Sequence, residues 1–235
     1  MSAIKPLQST SEMPFVVCSR AMTSSALIFL LLLAPAAWAK EPSPAVRVSS
    51  SPAALRAGAV ASPDRFGAEA AKEVLDAGGN AADAAVATAF ALAVTLPTAG
   101  NIGGGGFMTL WMDGKPYFLD YREKAPAAAS ATMYLDQKGE VVRGLNLNGP
   151  LAAGVPGSVA GMWAVQKRFG RLSWPDVMAP AIRLAKNGFE AYATAKPSSD
   201  PQRINFNDYF GGKMVQGQLF KQPELAATLQ RISDK

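Results

Sequence analysis

Arg122 is the residue in this chain best placed to do chemistry, because in YREKAP it directly follows a run that reads as a strand. A guanidinium at a strand end can offer two parallel N–H donors to a carboxylate. From spacing alone the plainer reading is a solvated ion pair with a nearby acid. The other chemistries are narrowed by what is absent. The 235 residues include no histidine, so a Ser-His-Asp or Cys-His arrangement has no base, and a zinc site would have only carboxylates to draw on. Asp113, Asp120, Glu123 and Asp136 fall near turns or strand ends, where solvated acids are expected, and identify no acid–base dyad. No catalytic residue, metal site or cofactor site is therefore assigned within this chain.

The elements that must position Arg122 lie in residues 99–126, AGNIGGGGFMTLWMDGKPYFLDYREKAP. Upstream, NAADAAVATAFALAVTL (residues 80–96) is apolar on nearly every face and predicts a buried helix. Downstream, FMTLWM and KPYFLDY read as strands joined by Asp113-Gly114, a pair suited to a two-residue hairpin turn with positive φ. The order is helix, glycines, hairpin. A dinucleotide fingerprint needs strand, glycines, helix, and a P-loop ends in Gly-Lys-Ser/Thr, whereas Gly106 is followed by Phe107. Nucleotide binding is excluded there, and Gly103 to Gly106 are expected to permit close packing or a sharp turn.

Ser62-Pro63-Asp64 predicts the start of a helix that ends at Gly78-Gly79, and Asn80 predicts the cap of the next, with Asp83 part of that cap. Residues 127–131 form a small-residue connector, and Lys138-Gly139 marks a turn. Ser158 opens a helix to Phe169 that stops at Gly170; Ser173-Trp174-Pro175-Asp176 opens another that ends near Asn187-Gly188. Trp163, Phe169 and Trp174 are assigned to packing. Residues 205–220 have no period and are read as irregular, and PELAATLQRISDK at the end follows a helical pattern.

Three segments in order, AVASPDRFGAEAAKEVLDAGGNAADAAVATAFALAVTLPTAGNIGGGGFM, LDYREKAP and GVPGSVAG (residues 154–161), resemble the γ-glutamyltransferase (γ-glutamyltranspeptidase) family. The resemblance covers residues 58–189 well and residues 190–235 loosely. It implies an α+β fold, the αββα sandwich of the N-terminal-nucleophile hydrolases, of which this chain supplies the N-terminal half as the first part of a large subunit. It implies that Arg122, in the matching motif position, pairs with the α-carboxylate of a γ-glutamyl group. It also implies a precursor that cuts itself to expose a threonine at the start of a small subunit; the threonine, the groups gripping the substrate amino function and the oxyanion donors are expected beyond Lys235. The expected partners are glutathione or another γ-glutamyl donor, an amino acid or water as acceptor, and the missing small subunit.

A short apolar run, ALIFLLLLA (residues 26–34), preceded by Lys5 and Arg20 and followed by Ala37-Trp38-Ala39, predicts a secretory signal peptide over residues 1–39 with cleavage after Ala39. Met1, Met13 and Met22 are alternative starts. Residues 40–57, rich in Pro and Ser, are a flexible linker, and residues 58–235 one incomplete domain. The single cysteine, Cys18, precedes the apolar run, so the exported chain is expected to lack disulfides and to be bacterial, periplasmic or secreted. With 49% hydrophobic and 17% charged residues the chain is globular. Its net charge of +5 is spread out, without basic runs or interleaved aromatics, which argues against nucleic acid as a partner. Two further readings stay open: a related acylase that removes a glutaryl-type group from a β-lactam side chain, and a non-catalytic exported remnant.

Overall fold

A computed structural model describes residues 4–6, 58–200, 203 and 205–235. Helix α1 (Arg65–Asp76) begins where the Asp64 carboxylate accepts the Gly67 amide at 2.7 Å, and it ends ahead of Gly78, whose φ of +91° a β-carbon would disfavour. Helix α2 (Ala81–Thr95) starts with a reciprocal cap: the Asn80 side chain accepts the amides of Ala82 and Asp83, and the Asp83 carboxylate accepts the Asn80 amide. Because α2 is apolar all round, it is the central helix, with α1, α3 (Ser158–Phe169) and α4 (Trp174–Asn187) packed against it. Val86, Phe90 and Val94 form the middle of the core. The predicted burial of this helix is observed.

Strands β2 (Phe107–Met112) and β3 (Lys115–Asp120) form the expected hairpin, and Asp113 and Gly114 take φ of 52° and 74°. In its register Phe107 faces Asp120 and Met112 faces Lys115. Strand β1 (Ile4–Pro6) pairs antiparallel with β3, giving the order β1-β3-β2. The period-2 alternation sends Met108, Leu110 and the fully buried Leu119 toward the helical core and Phe107, Trp111 and Phe118 away from it. Phe107 and Phe118 stack at 5.7 Å, and Trp111 is 71% exposed. The result is a sheet with a helical layer on one face and an apolar opposite face uncovered among the described residues.

Apart from Ile4–Pro6, the expected leader and linker lie outside the described residues; cleavage after Ala39 would remove β1 and leave β3 with one neighbour. Helices α3 and α4 have the predicted bounds, with Ser173 capping α4. Trp174 is buried, meets Phe90 and Trp163 edge-on at 5.5 and 5.1 Å, and donates its ring N–H to the Ile232 carbonyl at 3.0 Å in α6 (Pro223–Ser233). Residues 205–220 are more ordered than their composition predicts. They contain a short helix, α5 (Phe206–Tyr209), and β5 (Leu219–Phe220), which pairs with β4 (Phe189–Glu190) because Phe189 and Phe220 close on each other at 6.0 Å. Among the described residues no helix is long and apolar enough to cross a membrane.

Candidate functional site

Arg122 lies two residues beyond the last ladder pairing, after Tyr121 and Gly106 exchange hydrogen bonds at 3.0 and 3.4 Å. Its own amide donates to Asp120 Oδ1 at 3.0 Å, which turns the chain out of the sheet. The side chain is 61% exposed. Its Nε donates to Glu123 Oε2 at 3.2 Å, and the guanidinium carbon lies 5.7 Å from the centroid of Phe107 on the uncovered sheet face. The Glu123 carboxyl is held below its ordinary range, first by a hydrogen bond from its own backbone amide and then by Arg122. The pairing engages Nε, and among the described residues no hydrogen bond of the terminal nitrogens is seen, which leaves their N–H donors for a carboxylate.

The backbone beneath Arg122 is held by glycines from two separate segments. A β-carbon on Gly105 would lie 2.5 Å from the Tyr121 carbonyl and 2.8 Å from Arg122 Cα; one on Gly157 would lie 1.9 Å from the same carbonyl. A β-carbon on Gly161 would meet Tyr121 Cγ at 2.5 Å, and one on Gly154 would meet Glu123 Cβ at 3.0 Å. The two segments are tied to each other, since the amides of Gly157 and Ser158 both donate to the Gly104 carbonyl at 2.8 and 3.0 Å. Asn101 supports the loop, its Oδ1 accepting the Gly104 amide at 2.6 Å. On the far side of Arg122, Lys124 and Val155 exchange backbone hydrogen bonds of 3.1 and 2.8 Å. Burial between these segments pushes the Tyr121 hydroxyl pKa upward.

The expected close packing is observed at three of the four glycines: Gly104 meets the Asn101 side chain, Gly105 the backbone of residues 121–123 and Gly106 the Tyr121 ring, whereas Gly103 has open space around it. Tyr121, Asn101, Gly157 and Gly161 were not singled out as site residues from sequence. GVPGSVAG was legible as a motif, but no spacing in it announces that it packs against a strand more than thirty positions earlier. Among the described residues no group of three or more Cys, Asp or Glu is arranged to hold a metal ion.

The gamma-glutamyltranspeptidase family model matches residues 67–235. The chain belongs to this family. Among its relatives, the glutathione hydrolase proenzyme of Pseudomonas aeruginosa is 58% identical over 193 residues, covering 80% of this chain and 34% of that protein. The corresponding proenzyme of Escherichia coli is 38% identical over 194 residues, covering 78% and 33%. The chain thus spans about a third of the length of these curated relatives. Among solved structures, the gamma-glutamyltranspeptidase of Pseudomonas nitroreducens complexed with L-DON is 57% identical with a TM-score of 0.69, covering 77% of this chain and 56% of that one. The cephalosporin acylase of Bacillus halodurans is 27% identical with a TM-score of 0.58, covering 72% and 34%. The α+β half-sandwich described above is accordingly a part of the N-terminal-nucleophile fold of the gamma-glutamyltranspeptidase family.

Proposed function

We propose that this chain is the carboxylate-recognising part of a γ-glutamyl acyl-transfer enzyme that hydrolyses glutathione or passes its γ-glutamyl group to an amino acid. The reading rests on one observation above the others: Arg122 stands just past the end of β3 in the matching motif position, with its side chain 61% exposed and only its Nε engaged by Glu123. Arg122 binds the α-carboxylate of the donor. The nucleophile is a threonine beyond Lys235, exposed at the start of a small subunit, and its own α-amino group, with a pKa of about 8, takes the hydroxyl proton. The threonine oxygen attacks the γ-carbonyl carbon, the amide C–N bond breaks, the departing amine receives that proton, and water or an amino acid then cleaves the ester. Residues 1–39 direct export to the periplasm or medium.

The test is steady-state kinetics of the whole protein with a γ-glutamyl anilide. Arg122→Ala should lose about 2 to 5 kcal/mol of apparent binding, because the donor carboxylate is left desolvated and unpaired. A change in kcat/KM under about threefold would return Arg122 to a surface ion pair with Glu123. A second reading, removal of a glutaryl-type group from a β-lactam side chain, is favoured only by the likeness to the Bacillus halodurans acylase. A higher kcat/KM for a glutaryl amide than for the γ-glutamyl amide would select it.

A further inference from the structure

Glycine is required where a backbone must approach closer than a β-carbon allows, and such approaches around one side chain mark what the fold spends its close packing on. Gly105 and Gly157 abut the backbone of residues 121–123, and Gly161 abuts the base of the Tyr121 side chain at the start of that segment. None of them lies within a strand or helix cap that would need glycine for its φ, since none has a positive φ. They come from two segments more than fifty residues apart, joined through the Gly104 carbonyl. Their common effect is to fix where the Arg122 Cα stands.

We infer that Gly105 and Gly161 are positioning residues for carboxylate recognition, setting the place and direction of the Arg122 fork without touching the ligand. This rests on the reading of Arg122 as the carboxylate-binding residue. A methyl group at Gly105 would be 2.5 to 2.8 Å from three backbone atoms of residues 121–123, and one at Gly161 would be 2.5 to 3.0 Å from Cβ, Cγ and Cδ1 of Tyr121. Neither set of atoms is the far end of a flexible side chain, so the strand end must shift. A displacement of about 1 Å at a positioned group can cost on the order of 100-fold in function.

The experiment compares Gly105→Ala and Gly161→Ala with Gly79→Ala in the whole protein. Gly79→Ala is a steric control at a distance: its methyl would meet the Val74 carbonyl at 2.7 Å in the α1–α2 connection. Two quantities are read, kinetics with a γ-glutamyl anilide and the titration of the Glu123 carboxyl by 13C NMR, assigned through Glu123→Gln. Gly105→Ala and Gly161→Ala should raise KM about tenfold while kcat stays within about twofold, and should return the Glu123 titration toward the ordinary carboxylate range. Gly79→Ala should lower the melting temperature and leave both readouts as in the wild type. Should either site variant fail to fold, Gly154→Ala, whose methyl would meet Glu123 Cβ at 3.0 Å, the Lys124 carbonyl at 3.4 Å and Glu123 Cγ at 3.7 Å, gives a smaller shift of the same sign. Folded variants with wild-type KM and wild-type Glu123 titration overturn the inference, as does a KM rise in Gly79→Ala equal to theirs. An unchanged KM in Arg122→Ala sinks the carboxylate reading instead, and the Arg122 Nε–H resonance, which follows its pairing with Glu123, then still decides whether the glycines place the arginine.

Discussion

The carboxylate of Asp83 accepts the backbone amide of Arg171 at 2.8 Å, joining the first turn of α2 to the connection between α3 and α4 across 88 residues of sequence. The same oxygen accepts the Asn80 amide at 3.0 Å, and Asn80 in turn donates its side-chain amide to the Phe169 carbonyl at 2.6 Å. A helix cap thus doubles as the fastening of two other helices.

Asp83 is fully buried. Asp83→Ala should therefore destabilise the domain by about 1 to 3 kcal/mol, since it leaves two part-buried amides without the carboxylate oxygen they share. Asn80→Ala should cost about 1 to 2 kcal/mol. The double variant should cost less than the sum, because the residues share one network. Urea denaturation of the four proteins measures this, and strict additivity would show the two side chains to be independent.

A methyl group on Gly100 would lie 2.0 Å from the Leu92 carbonyl, where the chain folds back over the end of α2. Gly100→Ala should lose about 2 kcal/mol or more through overpacking, whereas Gly103→Ala, with open space around its position, should stay within about 0.5 kcal/mol. Melting temperatures of the pair suffice to check it.

Arg122→Lys should restore only part of the binding lost in Arg122→Ala, since an ammonium cannot reproduce two parallel donors. The deficit should fall mainly on KM. Full recovery by lysine would mean that charge alone, without fork geometry, is what the ligand needs.

The lowered Glu123 carboxyl fixes the sign of one pH effect. A depressed folded pKa means that the Arg122–Glu123 pairing is complete above the ordinary carboxylate range and is lost as pH falls through the lowered value. At neutral pH the pair should be insensitive to pH, and Arg122 should become free only in acid below the usual glutamate range. Following the Arg122 Nε–H resonance against pH would reveal it; release near neutrality would contradict the assignment.

Much of the scaffold was legible because its signals are local. The Asn80 cap, the apolar faces of α2, the Asp113-Gly114 turn and the proline-bearing start of α4 each act within one or two turns of chain, and the elements they predict are the ones observed. Arg122 was legible as a residue but its surroundings were not. The grip of Gly157 and Gly161 on Tyr121, and the reach of Asp83 to Arg171, depend on how distant segments meet, which no window of sequence contains. Strand β5 escaped for the same reason: a two-residue strand shows no alternation, and its register exists only through Phe189 on β4.

The uncovered face of the hairpin and the arginine are contiguous, since Phe107 belongs to that face and its ring lies 5.7 Å from the Arg122 guanidinium. Any surface that comes to rest on Phe107, Trp111 and Phe118 therefore also takes water away from Arg122. A charge pair worth about 1 kcal/mol in water strengthens several-fold as the local dielectric falls. Covering the sheet and binding an anion at Arg122 are thereby linked equilibria: whatever factor the cover adds to the anion's affinity, the anion returns to the hold of the cover.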